Sequence, residues 1–201
     1  SVPGGGARLQ ARLRAATALH ELERREDAFA ALHRLPVDGS IDENARRAAY
    51  LLEGELRAKD QDLEAENDAY ARGLADWPDA PSLLYARALM WERRDDIARA
   101  EADLRRILVA EPENVAALNA LGYTLADRTD RYDEALELID RARVAEPGNA
   151  AIVDSYGWVL YRLGRLDEAL VRLRPGSTRP PAAVLAALLG GVPWVRGRRD
   201  E

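Results

Sequence analysis

The sequence predicts an all-α fold, and two observations carry that prediction. Alanine, leucine, arginine and glutamate dominate the chain, and all four are good helix formers. The chain also repeats itself at steps of 34 and 35 residues. Glu111-Pro112-Glu113-Asn114 recurs as Glu146-Pro147-Gly148-Asn149, a step of 35. Leu121-Gly122-Tyr123 recurs as Tyr156-Gly157-Trp158 at the same step. Arg131-Tyr132-Asp133-Glu134-Ala135-Leu136 recurs as Arg165-Leu166-Asp167-Glu168-Ala169-Leu170, a step of 34. Pro78 lies 34 before Pro112, and Ala100 lies 35 before Ala135.

These residue types at these steps resemble the tetratricopeptide repeat (TPR) family. Its pattern has a small residue at repeat position eight, Ala at position twenty and Pro at position thirty-two. The resemblance implies an α-α superhelix, a solenoid of stacked antiparallel helix hairpins. One hairpin cannot bury its apolar face alone, so neighbours must stack. The array is expected over 47–173, in units of about 47–80, 81–113, 114–148 and 149–181.

Taken in order, Ser1-Val2-Pro3-Gly4-Gly5-Gly6 opens without Met and without an apolar signal segment. Residues 1–7 are therefore expected to be the flexible leader of a processed product or a cut piece. Residues 8–46 are expected to form a TPR-like hairpin and connector. Leu9, Leu13, Ala16 and Leu19 have helical spacing, Ala28, Phe29, Ala31 and Leu32 mark a second short helix, and the step from Pro36 to Pro78 is 42. The unit at 47–80 keeps Gly54 and Pro78 but has Glu66 where Ala is expected, and the unit at 81–113 has Ala88 in place of the glycine.

In the better repeats, Gly122, Gly157 and Ala88 allow the second helix close to the first, with Ala100, Ala135 and Ala169 facing them. Leu84, Leu118, Val153, Leu104, Ile139 and Leu173 pack around them. Asn114 and Asn149 stand at helix N-caps and Pro81 at a first turn. Asp133-Glu134 and Asp167-Glu168 open second helices, where the macrodipole favours acids. Pro112 and Pro147 end them. Residues 174–201 are expected to be a degenerate, truncated half-repeat, cut by Pro175-Gly176 and interrupted by Pro193.

Composition narrows the chemistry. The chain of 201 residues has no cysteine, so it offers no disulfide or thiolate metal ligand. Its net charge of -6 disfavours nucleic acid as the main partner, and two histidines leave little material for imidazole chemistry. The longest apolar stretch, about 180–193, is too short to span a bilayer. His20 and His33 are read as surface or packing residues rather than a metal pair. No phosphate-binding glycine loop is followed by lysine, and Ser155 lacks the glycine of a nucleophile elbow. No catalytic residue, metal or cofactor is expected.

The resemblance places partner binding on the concave face made by the first helices of the hairpins. Carried over position by position, that groove holds Tyr85, Leu89, Glu92 and Arg93. Asn119, Tyr123 and Asp127 follow, then Asp154, Trp158, Tyr161 and Arg162. Tyr, Trp and Arg dominate binding energy at many interfaces, and an extended peptide or a helix fits such a groove. Trp158 and Tyr123 have a second reading, as packing against the neighbouring hairpin. The two-carboxylate clamp of chaperone-tail binders is absent, with Asn119 its only match.

The stretch from Leu118 to Arg128, followed by that from Tyr156 to Arg165, is also similar to the C-terminal block of bacterial envelope TPR proteins. Several of these are lipoproteins, and some act as adaptors for a carboxyl-terminal processing protease. This resemblance implies a non-enzymatic scaffold binding a protein or peptide, with the protease or its substrates as one partner. It implies the periplasmic face of the outer membrane, against a cytoplasmic alternative. The competing readings are the regulatory portion of a larger enzyme and a structural envelope-assembly factor.

Overall fold

The computed structural model describes residues 5–36, 42–166 and 168–169. Among them the elements are all helices: α1 (Gly5–Glu21), α2 (Arg25–His33), α3 (Glu43–Lys59), α4 (Leu63–Asp76), α5 (Pro81–Arg93), α6 (Ile97–Ala110), α7 (Val115–Arg128), α8 (Tyr132–Ala145) and α9 (Ala150–Arg162). The chain divides into two compact units, Ser1–Ile107 and Leu108–Glu201.

In the first unit α1 packs on α2 and α3 on α4, and α3 also meets α1, α2 and α5. Its N-terminal core gathers Ala16, Phe29, Leu32, Leu35, Ala49 and Leu56, with Leu9, Leu13 and Leu52 against it. Helix α1 begins at Gly5, inside the stretch expected to be leader. First-turn amides have no intrahelical acceptor, so a helix can start there without losing a bond. The first helix of the second hairpin starts at Glu43 rather than 47, because the Asp42 carboxylate accepts from the Ala45 amide at 2.9 Å and caps it. Lys59, the last residue of α3, is exposed.

In the second unit α7 packs on α8, α8 on α9, and α7 also on α9. Leu118, Leu121, Leu125, Ile139, Ile152 and Leu160 are buried. The close approach expected at Gly122 is present. A Cβ there would stand 2.5 Å from Ile139 Cγ1 and 2.9 Å from the Ala135 carbonyl oxygen. Asn114 and Asn149 cap α7 and α9, accepting from the amides of Ala117 at 3.0 Å and Ala151 at 3.1 Å. Pro81 sits in the first turn of α5.

The turns within hairpins are alike in length, and the first helices explain why the repeat step alternates. Glu23, Gln61, Asp95 and Gly164 have φ of 60°, 59°, 62° and 73°, each closing a tight turn in the left-handed region. Helix α7 has 14 residues where α5 and α9 have 13, and the α7–α8 turn has no left-handed position. Its Thr129 is extended, donates its hydroxyl to the Leu125 carbonyl at 2.6 Å, and accepts from the Arg131 amide at 3.1 Å. The extra residue of α7 makes one motif step 35 and the next 34. The expected half-repeat at 174–201, and Leu173 with it, lie outside the described residues.

Candidate functional site

First helices adjoin one another within each unit: α1, α3 and α5 in one, α7 and α9 in the other. Residues three and four apart share a helix face. Asn119, Tyr123 and Asp127 therefore line one strip of α7. Asp154, Trp158 and Tyr161 line a strip of α9.

On these strips Asn119, Tyr123, Asp127, Trp158 and Tyr161 are half-buried, and Asp154 is exposed. The Trp158 and Tyr161 rings stack with centroids 5.5 Å apart and planes 26° apart. Two polar atoms here, Asn119 Oδ1 and Trp158 Nε1, are buried and make no hydrogen bond among the described residues. Asp127 pairs with its neighbour Arg128 at 3.0 Å.

Arg162 is used by the fold. It donates to the Tyr132 hydroxyl at 2.7 Å and to the Asp127 carbonyl at 3.2 Å, tying α9 to α8 and α7. Its guanidinium also lies 4.9 Å from the Tyr132 ring centre and 5.7 Å from that of Trp158.

In the first unit Tyr85 and Leu89 are half-buried on α5. Burial, and then the charge of Glu92, push the Tyr85 phenol above its ordinary pKa. Arg93 hydrogen-bonds the Glu66 carboxylate of α4, which is 1% exposed, and Arg94 lies 3.7 Å from the same group. Glu66 is thus a buried anion between two arginines. Tyr70, one turn on, fills the space at Gly54: a Cβ there would stand 2.3 Å from its ring. Burial, reinforced by Glu66, pushes the Tyr70 phenol up to about 12.

Sequence reasoning missed these ion pairs. Glu53 is buried between His33 at 2.7 Å and Arg72 at 2.8 Å. Asp103 is buried and takes two bonds from Arg87, at 2.7 and 2.8 Å. His20 is buried against Asp60 at 3.0 Å, and Asp60 also meets Arg25 at 3.0 Å. His20 and His33 thus bind carboxylates on α3 and its C-cap. Among the described residues no group of His, Asp and Glu is arranged to hold a metal ion, and no helix is long and apolar enough to cross a membrane. One signal was legible, since Glu66 broke the small-residue pattern.

The family profile for the tetratricopeptide repeat matches residues 91–150 and 124–173. The chain contains TPR repeats. A TPR repeat-containing protein of Pseudomonas aeruginosa is 41% identical over 165 residues, a match covering 76% of this chain and 28% of that protein. The chain therefore spans little more than a quarter of that relative's length. A TPR protein from Parabacteroides merdae superposes with a TM-score of 0.68 at 15% identity, covering 93% of this chain and 69% of that one. The first TPR domain of RPAP3, bound to the HSP90 peptide SRMEEVD, gives a TM-score of 0.54 at 20% identity, over 59% of this chain and 93% of that one. These structures share the TPR fold with this chain.

Proposed function

We propose that the chain is a non-enzymatic interaction scaffold that holds a protein or peptide along the first-helix faces of its TPR hairpins. The observation carrying this reading is the stacked Trp158–Tyr161 pair on α9, half-buried, with Tyr123 and Asn119 on the adjoining α7. Aromatic rings at such positions combine large contact area with little loss of side-chain freedom. That one TPR neighbour is solved with a peptide supports the same use of the fold. The finer role, an envelope adaptor for a processing protease, takes its support from the likeness of the stretches Leu118 to Arg128 and Tyr156 to Arg165 to envelope TPR proteins.

The test is affinity capture from the source cell, comparing the wild type with Tyr123→Ala/Trp158→Ala. The double variant is expected to lose the partner while keeping its helical circular dichroism and melting temperature. Equal recovery of every partner rejects the scaffold reading. Trp158→Ala alone separates anchor from core. As an anchor it costs binding about 2 kcal/mol or more, whereas as core it costs about 3–5 kcal/mol of stability. The regulatory TPR portion of a larger enzyme is the second reading, in keeping with the 28% coverage of the relative. An adjoining catalytic domain in the full-length gene product would support it.

A further inference from the structure

We infer that the segment held on the α7–α9 face is basic, and that an arginine or lysine of the partner seats between Asp154 and Trp158. This rests on the scaffold reading above. Three of the arginines on or beside the first-helix strips are already committed within their own unit. Arg93 neutralises the buried Glu66 and Arg128 pairs with Asp127. Arg162 ties three helices through Tyr132 and the Asp127 carbonyl. Recruiting Arg93 or Arg162 to a ligand carboxylate would take one of two arginines from a buried anion or break the helix tie.

Asp154 is the opposite case. It is exposed, and among the described residues it has no partner. Trp158 lies one turn on along the same face. Long helical side chains tend to lean toward the helix N-terminus, the direction in which Asp154 lies from Trp158. Asp154 supplies the charge of a receptor for a long basic side chain, and the half-buried Trp158–Tyr161 stack supplies a wall for its apolar stem.

A carboxylate and an aromatic ring sharing one guanidinium already occur at the α5–α6 turn. The Arg99 guanidinium lies 4.6 Å from the Trp91 ring centre, and its Nε is 3.4 Å from the Asp96 carboxylate. At Asp154 and Trp158 the carboxylate half of such a receptor has no cation of the described chain upon it.

An array of random decapeptides probed with the full chain tests the inference. Binders are expected to be enriched at least threefold in Arg and Lys. Asp154→Asn should erase that enrichment, and Glu137→Gln, an exposed charge on α8, should leave it unchanged. Binders that are acidic or neutral, and that Tyr123→Ala/Trp158→Ala abolishes, overturn the basic-partner inference while leaving the scaffold reading standing. An array with no binders, or with binding that the Tyr123→Ala/Trp158→Ala variant retains, overturns both.

Discussion

Residues 1–107 bury three carboxylates, Glu53, Glu66 and Asp103, whereas the buried polar side chains described in residues 108–201 are the hydroxyl groups of Thr124 and Ser155. Each buried carboxylate meets an arginine from another helix: Arg72 from α4, Arg93 from α5 and Arg87 from α5. In the second unit the matching positions hold the pattern expected of the repeat, with Gly122 and Ala135 bringing α7 and α8 together. The comparison separates two ways of fixing one helix on another. A glycine sets how near they come and is indifferent to sliding by a turn. An ion pair adds little net energy, because desolvation offsets attraction, but it names one partner and one register.

Breaking the ionic version has the largest expected effect. Arg87→Leu leaves Asp103 buried and unpaired, and should destabilise by about 3–5 kcal/mol in urea unfolding. Adding Asp103→Leu should recover most of that loss. If Arg87→Leu alone is neutral, buried pairing is not what holds α5 to α6. Breaking the steric version comes next. Gly122→Val drives a side chain into Ile139 and the α8 backbone, and should cost about 2–3 kcal/mol. Gly148→Ala is the control, since a Cβ there meets nothing within 4 Å. Amide exchange should show the first loss in residues 1–107 and the second in 108–201.

Alkaline titration sharpens the contrast. The Tyr70 phenol ionises near 12 when folded, against 10.0 unfolded. An acid with its folded value raised adds stability that is complete below pH 10 and is lost as pH rises from 10 to about 12. The size is at most about 2 kcal/mol once solvent screening is allowed for. Tyr70→Phe should flatten the wild-type decline over that window, and an identical decline would contradict the assignment. The smallest effect is at the turns. Gln61→Gly relieves a left-handed residue and should stabilise by roughly 0.5–1 kcal/mol. Thr129→Gly, in the one described hairpin turn without such a residue, should destabilise by removing two hydrogen bonds.

What the sequence made legible follows the same division. In the second unit Gly122, Ala135, Asn114 and Asn149 each do in space what their repeat positions implied, because each acts on neighbours in its own hairpin or its own first turn. In the first unit Glu66 read only as a departure from the pattern. Its partners Arg93 and Arg94 lie a hairpin away, and repeat spacing says nothing about which of many arginines a carboxylate meets. Arg93 and Arg162 stood at groove positions for the same reason: position within a repeat sets the face, not whether the side chain is already in use. The turn residues at φ near 60° were illegible too, since Glu23, Gln61 and Asp95 are not glycine.

Glu66 also gives the joint between α4 and α5 a thermal character of its own. Ion hydration weakens on heating, so the penalty for keeping that carboxylate from water shrinks as the solution warms, while apolar cohesion per unit area levels off. The salt-linked joint should therefore give way late in a temperature ramp relative to its rank in cold denaturant, and the glycine-lined hairpin of α7 and α8 should yield comparatively earlier.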